Sequence, residues 1–162
     1  DFNEHPEMKL VIAPHVVSDS HLREILDKVK RPCIRYTEAT EENVTQADCL
    51  IIDCYGLLSS IYRYGEISYI GGGFGVGIHN VLEAAVYGIP VIFGPNNKKF
   101  REAQHLLEQK GGFEVTGYDD FKRLMDKFLS DEAYLQQAGK AAGNYVNHNA
   151  GALEKIMKDI TL

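Results

Sequence analysis

The stretch that decides the fold runs from residue 67 to residue 95 and reads ISYIGGGFGVGIHNVLEAAVYGIPVIFGP. It opens with an apolar run, passes through five glycines in the seven positions 71–77, and continues with a helix-like run that Gly88 closes. A second apolar run follows, with Pro90 at its start, where the missing N–H of a proline costs little. This order predicts strand, loop, helix and strand, the unit from which parallel sheets are built.

The rest of the chain repeats this alternation of short apolar runs and helical segments. Strands are predicted at 9–16, 33–39, 48–54, 67–72, 89–95 and 113–117. Ser20 is placed to cap a helix after the first strand, and the region from Tyr118 to Leu162 is predicted to be helical with a break near LSDEAYLQ. The pattern predicts the α/β class, with a Rossmann-like, doubly wound parallel sheet of about six strands.

Composition limits the classes of protein and of partner. The chain has 162 residues, of which 44% are hydrophobic and 25% charged, as in one soluble globular domain. The formal net charge of −6 argues against nucleic acid, which needs a basic surface, but allows a small anion held by backbone N–H groups. Cys33, Cys49 and Cys54 have no CxxC spacing, so reduced thiols are favoured over a metal or redox site.

The glycine-rich loop does not match two familiar phosphate-binding motifs. The dinucleotide fingerprint needs a third glycine at a fixed place, where the three registers put Val76, Ile78 and Asn80. A Walker A motif needs a lysine after Gly77, where Ile78 stands. What is left is a strand, a flexible loop and the start of a helix, whose free N–H groups and dipole favour an anion.

Two residues at the predicted helix start have alternative interpretations. Asn80 is a good N-cap residue, and Glu83 then falls in the first turn. In one interpretation Glu83 completes a capping box and has no other role. In the other, its two carboxylate oxygens accept hydrogen bonds from the vicinal hydroxyls of a ribose. The local pattern does not decide between them.

The sequence around these residues resembles a known group of enzymes. The run HNVLEAAVYGIPVIFGP (79–95) is similar to the nucleotide-binding half of GT-B glycosyltransferases, in which a helix bearing Glu is followed by Ala, Gly-x-Pro and a strand ending in Pro. Within that group the chain resembles the 3-deoxy-D-manno-octulosonic acid (Kdo) transferases of lipopolysaccharide synthesis. The motifs that carry this resemblance are DCYG (53–56), IGGG (70–73), HNVLE (79–83), GIPVIFGP (88–95) and FRE (100–102).

The resemblance implies an architecture and a reaction. Residues 1–162 would form a single C-terminal domain that binds the donor nucleotide, one half of a GT-B fold without its first strand, and the N-terminal acceptor domain would lie outside this chain. The whole enzyme would be an inverting glycosyltransferase that transfers Kdo from CMP-Kdo to a lipid A precursor. It would act at the cytoplasmic face of the bacterial inner membrane, with its general base on the N-terminal domain. We therefore expect no catalytic residue, no activity, no cofactor and no metal site in this chain alone.

The resemblance also assigns the nucleotide-binding residues. Glu83 would bind the ribose hydroxyls, and the backbone near Asn80 would hold the CMP phosphate. The residues assigned to phosphate, ribose and close backbone approach are Gly71, Gly72, Gly73, Gly77, Ile78, His79, Asn80 and Glu83. Those assigned to the border of the cytosine are Pro14, His15, Asp53, Tyr55 and Gly56.

Several alternatives stay open at this point. A GT-B transferase or epimerase that uses a UDP-sugar would use Glu83 and the Gly-x-Pro segment equally well. A non-catalytic nucleotide-binding or assembly module is another alternative, because an exposed sheet edge can pair with a second copy of the chain. His79 either donates to the donor or braces the loop, and Lys98 and Lys99 either contact the donor's charges or form a solvated helix turn.

Overall fold

The computed structural model describes residues 1–150. The chain is divided into two compact units, Asp1–Ile61 and Tyr62–Leu162. Each unit contains one three-stranded parallel sheet with helices beside it. The part of the predicted helical region beyond residue 150 lies outside the described residues.

The first unit is built on three parallel strands. Its elements are β1 (Leu10–Ile12), α1 (Asp19–Lys28), β2 (Cys33–Arg35), α2 (Glu41–Val44), β3 (Cys49–Ile51) and α3 (Leu58–Ile61). The central strand is β3, and Cys49 lies opposite both Leu10 of β1 and Cys33 of β2. Leu22 of α1 packs with Cys49 and Ile51 to form the buried core of this unit.

Two helix starts in the first unit differ from the prediction or were missed by it. Helix α1 is capped by Ser18, whose side chain accepts a hydrogen bond from the His21 N–H at 3.3 Å, and not by Ser20. Ser20 lies inside the first turn instead, because the helix begins two residues earlier than its apolar positions suggest. Helix α2 was not predicted, since four residues are too few to show a period, although Thr40 and Asn43 form a capping box at its start.

The second unit contains the glycine-rich stretch 67–95. Its elements are β4 (Ser68–Ile70), α4 (Leu82–Ala85), β5 (Val91–Phe93), α5 (Arg101–Glu108), β6 (Gly112–Glu114), α6 (Tyr118–Ser130) and α7 (Glu132–Asn149). The strand order is β4-β5-β6, with β5 in the centre. All three residues of β5 are buried, as expected for a central strand covered on both faces.

Helices cover both faces of the β4-β5-β6 sheet. Val91 and Phe93 point into a cluster with α4, α5 and α7 that includes Leu106 and Ala142. On the opposite face Phe113 of β6 meets Phe128 of α6 edge-on, with ring centroids 5.2 Å apart. This arrangement confirms the α/β class and the six predicted parallel strands, which are divided between two three-stranded sheets.

The helical region after Tyr118 breaks where the sequence indicates. Asp131 ends α6 and caps α7, and its side chain accepts a hydrogen bond from the Tyr134 N–H at 3.0 Å. None of the helices within residues 1–150 is long and apolar enough to cross a membrane.

Helix α7 lies directly against the turn that precedes β5. A Cβ added at Gly139 would stand 2.3 Å from the carbonyl oxygen of Gly88, so only glycine allows this backbone approach. Gly88 itself has a φ of +70°, which glycine adopts without strain. The contact fixes the turn between α4 and β5 from outside the sheet.

We predict that Gly139→Ala destabilises the protein by about 1–3 kcal/mol, because the helix must move away from Gly88. This is the net effect after the gain of about 1 kcal/mol in helix propensity from glycine to alanine. Urea unfolding followed by circular dichroism measures the difference. Gly65→Ala is the control, since a Cβ there meets only ordinary contacts at 3.5 Å or more. An unchanged unfolding midpoint in Gly139→Ala would contradict the described packing of α7.

A charged cluster ties the N-terminal segment of the first unit to its sheet. The Arg31 guanidinium donates to the carbonyl oxygens of Phe2 and His5 at 3.0 and 2.6 Å, and to Asp48. Lys9 Nζ donates to the other carboxylate oxygen of Asp48 at 2.6 Å. The hydrogen bond from Lys9 is the main cause that lowers the pKa of Asp48 below its ordinary value of 3.8, with Arg31 adding to it.

A lowered pKa in the folded state makes the Asp48 contribution to stability present above about pH 4 and lost as the pH falls through the lowered value. We therefore predict that Asp48→Asn reduces the acid-side fall in melting temperature between pH 5 and pH 2. Thermal unfolding across that range measures it. Asp27→Asn, an exposed position on α1, should leave the slope unchanged. Identical acid slopes for wild type and Asp48→Asn would show that this cluster does not act on stability.

Candidate functional site

The loop after β4 folds back on itself. Gly72 O accepts hydrogen bonds from the N–H groups of Gly75 and Gly77, at 2.9 and 3.3 Å. A Cβ at Gly72 would stand 2.2 Å from Gly77 O, and the φ angles of Gly72 and Gly77 are +87° and +144°. These two predicted site residues are therefore required as glycines by the loop conformation itself.

The same loop is packed onto the end of β5. Gly73 is buried, and a Cβ there would stand 2.5 Å from the Gly94 N atom. Asn96 completes the connection: its backbone N–H donates to Gly73 O at 2.9 Å and its side-chain amide donates to Gly75 O at 2.6 Å. The glycine-rich loop is thus a fixed element whose backbone is held by a neighbouring loop.

The segment after the loop offers unpaired backbone donors. Ile78 is 4% exposed and its side chain belongs to the core, which anchors the segment. His79 N–H donates to Gly71 O at 3.1 Å. The N–H groups of Ile78 and Asn80 have no acceptor within residues 1–150. These groups and the first turn of α4 can bind an anion.

Asn80 arranges the start of α4, although the helix begins at Leu82 and its N-cap is Val81 instead of the predicted Asn80. The Asn80 Oδ1 accepts a hydrogen bond from the Leu82 N–H at 3.0 Å. The helix is short, because its regular hydrogen bonding ends at Ala85 before the turn that Gly88 closes.

Glu83 is half-buried and is oriented by Asn80. Its Oε1 accepts a hydrogen bond from the Asn80 side-chain amide at 3.0 Å. The second oxygen, Oε2, has no hydrogen-bond donor in the described part of the chain. A capping box would instead require a bond to the backbone N–H of the cap residue, and this bond is not formed within residues 1–150. The capping-box interpretation is therefore replaced by a side-chain pair.

The Glu83 carboxylate also acts on Tyr62. Burial raises the pKa of Tyr62, and the nearby negative charge of Glu83 raises it further. Tyr62 is half-buried against the core that contains Ile78 and Val81. The carboxylate therefore faces an uncharged phenol as well as Asn80.

The predicted residues of the first unit follow the ends of β1 and β3. Burial raises the pKa of Asp53, but hydrogen bonds from the Thr37 hydroxyl and N–H, at 2.6 and 3.0 Å, outweigh it and lower the pKa overall. Tyr55 is 79% exposed, and Gly56 has a φ of +90° in the turn that follows. His15 is exposed and Pro14 half-buried after β1.

One residue of the second unit was missed by the sequence analysis. Asn97 is 1% exposed, and its amide donates to Gly94 O at 2.9 Å and to Glu114 Oε2 at 2.6 Å. Its Oδ1 accepts from Gln104 at 2.6 Å. Asn97 therefore supports the loop after β5 from beneath. The only signal in the sequence was the Asn-Asn pair after Gly-Pro, which did not distinguish a buried amide from a surface turn.

No group of three or more metal-ligating side chains is present among residues 1–150. The three cysteines are free thiols. The described part of the chain thus offers backbone donors and a carboxylate for ligand binding.

Comparisons with known proteins agree on one family. No protein-family model matches the chain. It is 31% identical over 128 residues to the 3-deoxy-D-manno-octulosonic acid transferase of Aquifex aeolicus, covering 78% of this chain and 35% of that protein. It is 29% identical over 160 residues to the enzyme of the same name from Haemophilus influenzae, covering 95% and 37%. The chain spans about a third of the length of these curated relatives.

The fold has a counterpart among solved structures. The C-terminal CMP-Kdo binding domain of WaaA from Acinetobacter baumannii superposes with a TM-score of 0.76 at 16% identity, over 90% of this chain and 77% of that one. At this identity the likeness establishes the fold. Taken with the curated relatives, it confirms the resemblance of the chain to the 3-deoxy-D-manno-octulosonic acid transferases, and the fold is that of the A. baumannii domain.

Proposed function

We propose that this chain is the donor-nucleotide-binding part of a Kdo transferase and that it binds CMP-Kdo. The observation that carries the proposal is the segment Gly77–Glu83. Within residues 1–150, the N–H groups of Ile78 and Asn80 have no acceptor there, and the nearby Glu83 carboxylate has one oxygen without a donor. The same segment contains the HNVLE motif through which the chain resembles the family. We infer the sugar from the relatives, which are named 3-deoxy-D-manno-octulosonic acid transferases. We infer the nucleotide from the A. baumannii domain, which is described as binding CMP-Kdo.

The phosphate of the donor is bound by the backbone. The N–H groups of Ile78 and Asn80 and the first turn of α4 supply donors without any net positive charge, which suits a chain of net charge −6. When the bond to the sugar breaks, negative charge grows on the departing CMP phosphate. Donors already held in place by the packed glycine loop stabilise that charge without reorganising.

The ribose is bound by Glu83. Asn80 occupies one carboxylate oxygen, so Oε2 is free to accept from one ribose hydroxyl and Oε1 keeps a second lone pair for the other. The ligand can therefore bind without breaking the hydrogen bond between Asn80 and Glu83.

The rest of the reaction follows from the family pattern. A hydroxyl of a lipid A precursor attacks the anomeric carbon of Kdo with inversion, CMP leaves, and a carboxylate base on the N-terminal acceptor domain takes the proton. We place the whole enzyme at the cytoplasmic face of the inner membrane. In this scheme residues 1–162 act as a single C-terminal donor domain that holds and stabilises the leaving group.

Glu83→Gln is expected to weaken CMP binding about tenfold, because a neutral amide is a poorer acceptor for ribose hydroxyls. Isothermal titration calorimetry measures this loss. The same change should weaken binding of 2′-deoxy-CMP less, because that nucleotide has only one of the two hydroxyls. Glu102→Gln, at an exposed position on α5, is the matched control. Equal affinities of wild type and Glu83→Gln for CMP would remove the ribose assignment, and tighter binding of UMP than of CMP would favour a UDP-sugar donor.

The chain alone is expected to transfer no Kdo, because the proposed base is on the other domain. CMP release from CMP-Kdo in the presence of a lipid A precursor measures transfer. The full-length A. aeolicus relative serves as the positive control. Turnover by the 162-residue chain would overturn the assignment of the base to an N-terminal acceptor domain.

A further inference from the structure

Two adjacent cations next to the glycine loop are not used by the site described above. Lys98 and Lys99 follow Asn97 in the loop between β5 and α5, and both are exposed. Neither has an ion-pair partner or a side-chain hydrogen bond within residues 1–150.

The lysines lie between two points at which their loop contacts the glycine loop. On one side Asn96 donates to Gly73 O at 2.9 Å and to Gly75 O at 2.6 Å. On the other side a Cβ at Gly77 would stand 2.9 Å from the ring of Phe100, so the ring lies directly against Gly77. The backbone of the two lysines is therefore held between two residues that contact the glycine loop, one of them against Gly77.

The fold itself does not need these charges. The loop is supported by Asn97, whose amide and carbonyl groups are bonded to Gly94, Glu114 and Gln104. The Phe100 N–H donates to Asn97 O at 2.9 Å, which closes the turn across the lysines. A loop that is stable without its exposed cations leaves them available for a ligand.

The ligand of the proposed function carries two negative groups. Its phosphodiester joins the nucleoside to the anomeric carbon of Kdo, and the sugar's own carboxylate is attached to that same carbon. A phosphate held by the backbone next to Gly77 thus brings a carboxylate into the immediate surroundings. A neutral hexose donor has no such group.

We propose that Lys98 and Lys99 bind the sugar carboxylate and so select an acidic sugar nucleotide. The proposal rests on the proposed function, because it takes the phosphate position from it. Lysine suits this role, as its ammonium is a mobile point charge on a flexible stem that can follow the carboxylate. This contact with the sugar carboxylate adds to the phosphate and ribose contacts. The fold itself depends on neither lysine.

The test compares two ligands of equal charge. CMP at pH 8 carries two charges on its phosphate, whereas CMP-Kdo carries one on its phosphodiester and one on its carboxylate. We expect Lys98→Gln/Lys99→Gln to weaken CMP-Kdo about tenfold and CMP less than about twofold, measured by calorimetry on the 162-residue chain. The variant Lys98→Arg/Lys99→Arg should bind CMP-Kdo nearly as well as the wild type, since it keeps both positive charges.

A double variant with the same charge change is the control. Lys28→Gln/Lys140→Gln removes two exposed lysines far along the sequence and should bind both ligands as wild type does. An equal loss for CMP and CMP-Kdo in the Lys98/Lys99 variant, or no loss for either, would overturn this inference and leave the proposed function standing. Absence of CMP binding by the unmodified chain would overturn the proposed function and this inference together.

Discussion

The contact between Gly73 and Gly94 is the constraint on which the rest of the second unit's site depends. It brings the loop after β4 against the end of β5 at a separation that leaves no room for a Cβ on either residue. This contact allows Asn96 to donate two hydrogen bonds to the glycine loop. It also allows the Phe100 ring to pack against Gly77. Glycine here serves close packing of two backbones more than mobility.

This close packing changes how the glycine-rich loop is understood. A run of five glycines in seven positions suggests a flexible cradle, yet Gly72, Gly73 and Gly77 are each required by a specific backbone approach or a positive φ. The loop is a rigid support, and the ligand-binding groups follow it at Ile78–Glu83. Preorganised donors of this kind are what stabilise developing charge on a phosphate most effectively.

Some polar side chains support the fold, and others keep hydrogen-bonding or ion-pairing capacity for a ligand. Asn97 is buried and fully bonded, so it serves the fold, and Asp53 accepts two hydrogen bonds from Thr37 that hold its carboxylate in place. Glu83 has one oxygen bonded by Asn80 and one oxygen left over, and the exposed lysines at 98 and 99 have no partner among the described residues. The groups with unused bonding capacity are the ones we assign to the ligand.

The sequence by itself determined the α/β class, the six strands, the break before α7 and the family resemblance, because each depends on local patterns of apolar residues and on contiguous motifs. Only the tertiary structure decided the pairing into two three-stranded sheets, the shift of the α1 cap to Ser18, and the lengths of the strands and of α4. It also decided that Asn80 bonds the Glu83 side chain and that Asn97 is buried. These features depend on contacts between residues distant in sequence or on the choice among several nearby caps, and neither leaves a periodic trace in one chain.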